Sequence, residues 1–143
     1  MLFGRKKRRI GRVLVVEDEP LVAFDTEHFL QDEGFHIVAT VDSVADALAV
    51  LARGESIELV IADINLADGT GIRVAEEAKR LEVPVLFVTG NCPGEAEKLA
   101  AGCLAKPYQK RDLLLAIEAI EAVLEGEEPR RLPAHFSLFP RAA

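Results

Sequence analysis

The apolar positions of this chain fall into two alternating textures. Short runs of β-branched and other apolar residues stand between longer stretches in which apolar residues recur every three or four positions. The first texture reads as strands buried on both faces, the second as helices. Arg12-Val13-Leu14-Val15-Val16 is the first strand and stops at Glu17-Asp18-Glu19. Pro20 suits the first turn of a helix, where a missing N–H is no loss, and Leu21, Phe24, His28, Phe29 and Leu30 follow with helical spacing up to Gly34. Phe35 to Val41 predicts a second strand, and Asp42-Ser43 the cap of a helix with Val44, Ala47, Leu48 and Leu51 on one face. The run Leu59-Val60-Ile61-Ala62 then ends abruptly on Asp63, with turn chemistry after it in Ala67-Asp68-Gly69-Thr70-Gly71 and a helix from Gly71 to Leu81.

Pro84 introduces the strand Val85-Leu86-Phe87-Val88, which ends at Thr89-Gly90-Asn91. A weak, alanine-rich helix is expected from about Pro93 to Ala101, as the least stable element. Gly102-Cys103-Leu104-Ala105 is a brief strand ending at Lys106-Pro107, and Asp112 to Leu124 an amphipathic helix with Leu113, Ile117, Ile120 and Leu124 inward. Repeated strand–helix units with short connections predict an α/β fold, a parallel sheet with helices on both faces.

The periodic region, residues 12–125, is of a size for one domain with a single core. Residues 1–11 read as a basic flexible arm, and 126–143, with Pro129, Pro133 and Pro140, as a flexible tail. Phe136, Leu138 and Phe139 could make that tail a docking peptide, but an untethered end fits it better. Arg5, Lys6, Lys7, Arg8, Arg9 and Arg12 give the start of the chain a charge of +6, leaving 11 basic against 24 acidic residues in the rest. An acidic body argues against direct nucleic-acid binding. The arm could touch anionic lipid or nucleic acid, although a run this short reads better as a solvated terminus. No apolar run is long enough to enter a membrane as a helix, and no signal-peptide pattern is present. Cys92 and Cys103 form no CxxC or Cys/His cluster, so a reduced, cytoplasmic setting is expected, with both as small buried or half-buried apolar residues rather than redox sensors.

In open parallel sheets, ligands sit outside the carboxyl ends of the strands. Glu17, Asp18, Asp63, Thr89 and Lys106 all emerge there, so they are expected to converge. Clustered carboxylates repel, and a hard divalent cation such as Mg²⁺ relieves the repulsion while binding phosphoryl oxygens readily. A lysine and a hydroxyl opposite the metal would hold an anionic group. The set predicts a phosphoryl site with an aspartate nucleophile.

Val-Val-Glu17-Asp18, Asp63, Thr89-Gly90 and Lys106-Pro107, in that order and spacing, resemble the receiver domain of bacterial two-component response regulators over roughly residues 11–125. The resemblance implies a flavodoxin-like (βα)5 fold with a five-stranded sheet of order 2-1-3-4-5. It implies that Asp63 accepts a phosphoryl group from the phosphohistidine of a sensor histidine kinase or a histidine phosphotransfer protein. It further implies that Asp18, Asp63 and the backbone carbonyl of Asn65 bind Mg²⁺, with Glu17 acting through water. Lys106 would contact phosphoryl oxygens, Thr89 would swing toward them, and the Lys106–Pro107 bond is commonly cis in the family. Output would be contact with a downstream protein, a phosphorelay or a shifted homodimer equilibrium, through a face offering Lys98, Tyr108, Lys110 and Arg111 beside Glu95, Glu97, Asp112 and Glu118.

The chain departs from that family at one place: Cys103 stands where an aromatic switch residue is usual. Phe87-Val88-Thr89-Gly90 resembles a receiver subset with Phe-Ala-Thr-Gly in the fourth strand, which lacks the switch aromatic and is associated with general stress signalling. Asp42 and Asp68 read as cap and turn residues, and His28 as a packed or solvated helical side chain. Two rival functions follow from the same residues. A phosphorylation-independent adaptor would keep the acidic site as a relic. An aspartate-nucleophile phosphatase would use Asp63-Ile64-Asn65, although that motif should end the first strand.

Overall fold

A computed structural model of the chain describes residues 9–139. Five parallel strands, β1 (Arg12–Val16), β2 (His36–Val41), β3 (Leu59–Ala62), β6 (Val85–Thr89) and β7 (Gly102–Ala105), lie in the order β2-β1-β3-β6-β7. This is the 2-1-3-4-5 order of the flavodoxin-like fold. Between β3 and the next helix, β4 (Asn65–Leu66) and β5 (Gly69–Thr70) form a small antiparallel ribbon. Helices α1 (Pro20–Asp32), α2 (Val44–Ala52), α3 (Gly71–Arg80), α4 (Ala96–Leu99) and α5 (Lys110–Leu124) connect the strands.

Because both faces of the sheet are covered, alternate residues of one strand feed two cores. Val13 and Val15 pack with Leu30, Leu59, Ile61, Leu86, Leu104 and Ile117 on one side. Leu14 and Val16 pack with Ala47, Val60, Ala62, Val74 and Phe87 on the other. Local chemistry sets the helix starts. Pro20 opens α1, Ser43 Oγ accepts from Asp46 N at 3.0 Å, and Thr70 Oγ1 accepts from Ile72 N at 3.2 Å. Asp68 caps a helix other than its own: its carboxylate accepts from Val44 N at 2.8 Å and Ala45 N at 3.1 Å, so the β4–β5 turn is fastened to α2. Those two bonds hold the Asp68 carboxyl below the usual carboxylate range.

Four expectations need correction. The tail is tethered: β8 (Phe136–Leu138) adds a sixth strand, antiparallel, to the outer edge of β7. Ala105 N–H donates to His135 O and Phe139 N–H to Ala101 O, both at 2.9 Å, while Phe136 and Leu138 pack on one core and Phe139 on the other. Residues 1–8 of the basic arm lie outside the described residues, but its last two are anchored. Ile10 is buried and its N–H donates to Glu121 Oε2, and Gly11 N–H donates to Glu58 Oε1. On α1, Leu21 and Phe24 are 80% and 58% exposed, so the inward stripe runs through Thr26 and Leu30 instead. Helix α4 is a single turn rather than the longer segment expected, because only Ala96 in it is fully buried.

The seat for β8 is specific. A Cβ on Gly102 would lie 2.7 Å from Phe136 Cε1 and 2.9 Å from its Cζ, so the missing side chain is the slot that the ring fills. A Gly102→Ala variant is therefore expected to unseat β8 while leaving the other strands in place. The destabilisation expected is about 1–2 kcal/mol, as for an overpacked contact that can relax. Hydrogen exchange at residues 136–139 is the measurement. Unchanged protection there would contradict the account.

Candidate functional site

The carboxyl ends of β1, β3 and β7 are carried past the strands by further ladder bonds. Glu17 N–H donates to Val41 O at 2.9 Å, Asp63 N–H to Val16 O at 3.0 Å and Lys106 N–H to Thr89 O at 2.8 Å. Each functional residue is thus the first after its strand and is held in sheet register by its own backbone. Lys106 Nζ reaches back to donate to Asp63 Oδ2 at 2.8 Å and to Glu17 Oε1 at 3.0 Å. Glu17 Oε2 accepts from Glu19 N, and Asp63 Oδ1 from Asn65 N, both at 3.1 Å. Glu17 and Asp63 are buried and Asp18 half-buried, and one carboxylate oxygen from each lies within 4.8 Å of the others.

Burial pushes the Glu17 carboxyl up, against the lowering pull of Glu19 N–H and Lys106. Burial alone would lower Lys106, but its bonds to Asp63 and Glu17 outweigh this and hold the ammonium above the usual lysine range. The lysine is therefore a permanent cation at neutral pH. The donor set around it is all oxygen and carries several negative charges, which suits Mg²⁺ rather than a softer metal.

Thr89 ends β6 with 1% of its surface exposed, in register with Ala105 beside Lys106. The peptide Lys106–Pro107 is cis. Gly71 supports the site from below. Its N–H donates to Ile64 O at 2.6 Å, and a Cβ there would collide with the Asp63 carbonyl oxygen and stand 3.1 Å from Ile64 Cα. The sequence marks Gly71 as a turn residue and the start of a helix, but its close approach to the Asp63 backbone carries no sequence signal.

Cys103 is buried at the centre of β7 and is bonded to Cys92 in a disulfide, against the expectation of two separate thiols. Their spacing matches no pairing signature, and only the return of β7 beside β6 brings them together. The expected partner face is also divided. Lys98 lies on α4, where its carbonyl accepts from Lys79 Nζ on α3. Tyr108 and Lys110 line a groove of about 490 Å³ between α1 and α5, with Thr26, Phe29 and Lys106, and Lys110 Nζ stands 5.9 Å over the Phe29 ring. Arg111 is exposed on α5, and β8 pairs along the outer edge of β7.

A family model described as the response regulator receiver domain matches residues 13–118. The phyllosphere-induced regulator PhyR of Methylorubrum extorquens is 31% identical over 129 residues, covering 86% of this chain and 47% of that protein. The chain spans about half the length of the curated relatives it matches. A CheY-like receiver from Methanospirillum hungatei superposes with a TM-score of 0.74 at 27% identity, covering 82% of this chain and 98% of the other. The response regulator PhyR from Brucella abortus gives 0.67 at 29% identity, covering 84% of this chain and 51% of the other.

Proposed function

The chain belongs to the response regulator receiver family, and from that premise we propose that Asp63 accepts a phosphoryl group from the phosphohistidine of a sensor histidine kinase or a histidine phosphotransfer protein. The observation that carries this reading is the lysine bridge: one ammonium holds Asp63 and Glu17 together, beside Asp18, at the exposed end of three strands. In the transfer, a carboxylate oxygen of Asp63 forms a bond to phosphorus as the phosphorus–nitrogen bond to the donor imidazole breaks. Lys106 then exchanges its bond to Asp63 for one to a phosphoryl oxygen, and the Thr89 hydroxyl donates to another. Glu17, Asp18, Asp63 and the Asn65 carbonyl would hold Mg²⁺, which supplies neutralisation of the phosphoryl charge.

The modified site signals by a change in protein contact or by passing the phosphoryl group on. The Phe87-Val88-Thr89-Gly90 segment supports general stress signalling in the cytoplasm as its setting. Among the described residues no helix is long and apolar enough to cross a membrane. Leu21 and Phe24, exposed on α1 just beyond Glu17 and Asp18, offer a protein donor an apolar foothold.

Intact-mass measurement after acetyl phosphate tests the reading. One phosphate adduct, labile to hydroxylamine, is expected with Mg²⁺ and none with the metal chelated. Labelling that ignores the metal would overturn the assignment of the acidic cluster. Lys106→Ala should still take up phosphate, since the carboxylates remain, but lose the change in partner binding that phosphorylation brings. Equal partner binding by the phosphorylated variant and wild type would remove Lys106 from the response.

A further inference from the structure

The two arms of the site are tied together a few residues behind their working ends. Cys92 lies three residues beyond Thr89, and Cys103 three residues before Lys106. Their disulfide spans a sequence separation of 11 with 6.3 Å between Cα atoms, and the loop it closes contains all of α4. Beyond the disulfide, the loop is fastened to its surroundings by the Lys79 Nζ bond to Lys98 O, the Ala101 N–H bond to Val85 O and partly buried Leu99 and Ala100. Its helix is one turn long, Ala96 is its only fully buried helical residue, and three of its backbone bonds (to Pro93, Gly94 and Glu95 carbonyls) are of the tight three-residue kind. The two sulfurs also differ in access. Cys103 is fully buried between β6 and β8, while Cys92 is half-buried in an irregular segment.

We propose that Cys92 and Cys103 are a reversible redox modification site. As the disulfide they pin the segment between Thr89 and α4 to β7; reduced by a dithiol, they release it to respond to phosphorylation of Asp63. The second half of this rests on Asp63 being the phosphoacceptor. Reduction begins at the accessible sulfur. A thiolate of the dithiol attacks Cys92 Sγ, the bond between the two cysteines breaks, and Cys103 leaves as a thiolate and takes up a proton. The second thiolate of the reductant then displaces Cys92, which is protonated in turn. Two electrons and two protons pass to the protein, and the reductant becomes a cyclic disulfide. A small-molecule disulfide reverses the exchange.

The residue usual at position 103 in this family is an aromatic ring free to rotate, whereas a half-cystine there cannot move without its partner. Oxidation state therefore replaces rotamer choice as what sets the freedom of the loop behind Thr89.

The test uses the full chain, equilibrated with either oxidised or reduced dithiothreitol, with intact mass and iodoacetamide labelling to count thiols. Hydrogen exchange over residues 90–101 is then followed with and without acetyl phosphate and Mg²⁺. The oxidised chain should be lighter by about two hydrogen masses. Its segment should exchange roughly tenfold more slowly than in the reduced chain. Phosphorylation should alter exchange there by about threefold or more in the reduced chain and leave the oxidised one unchanged. Cys92→Ser, which leaves the buried Cys103 in place, should match the reduced wild type without any reductant. Two labelled thiols under both conditions, or equal exchange in the two redox forms, would overturn the redox site while leaving Asp63 untouched. A phosphate adduct in neither form would overturn the phosphoacceptor reading and the coupling, while the difference in exchange would still decide whether the disulfide governs the loop.

Discussion

Asp63→Asn is expected to take up no phosphate under conditions where the wild-type chain should gain one hydroxylamine-labile adduct. The change is almost isosteric, so the loss is chemical rather than structural. Asp63 makes three contacts that matter: its N–H donates to Val16 O, one carboxylate oxygen accepts from Asn65 N and the other from Lys106 Nζ. An asparagine keeps the backbone bond and, with its amide oxygen, one of the other two. The contact it loses is the charge-assisted one to Lys106, and Glu17 retains that ammonium. Stability should therefore fall by only about 1.5–3 kcal/mol, the scale of one hydrogen bond to a charged group. The amide has no anionic oxygen to attack phosphorus. Intact mass and urea unfolding, run on the same samples, separate the two effects. A surviving adduct would mean that Glu17, Asp18 or another side chain is the acceptor.

Among the described glycines, Gly71→Ala is expected to be the most destabilising added methyl. The new carbon would run into the main chain of Asp63 and Ile64 rather than into the end of a movable side chain. Something in the backbone must shift, either the start of α3 or the strand end that carries Asp63. Overpacking of this kind costs about 3 kcal/mol or more when rigid groups meet. Gly94→Ala is the matched control, because a Cβ there meets nothing within 4 Å. Urea midpoints should separate the two variants widely, and phosphate uptake should slow in the first alone. Similar midpoints would mean that the approach of α3 to Asp63 is looser than described.

The contrast between Gly71 and Asp63 shows what the sequence could and could not disclose. Each strand is a run of apolar residues ended by its own polar residue, so the convergence of Glu17, Asp63, Thr89 and Lys106 follows once the strands are known to be parallel. That information is local and repeats along the chain. The disulfide is not local: residues 92 and 103 meet only because β7 returns alongside β6, and neither carries a spacing signal. The strand β8 is too short for alternation to register, and its pairing depends on a glycine far away in sequence. Leu21 and Phe24 fit helical spacing as well as Leu30 does, and periodicity alone does not say which flank of a stripe faces water.

Strand β8 has one more effect, and it concerns molecules meeting one another. With β7 paired on both sides, the sheet's edges among the described residues are β2 and the three-residue β8. A second molecule approaching the β8 flank meets an edge only three residues long, and so short an edge is a poor template for sheet-to-sheet growth.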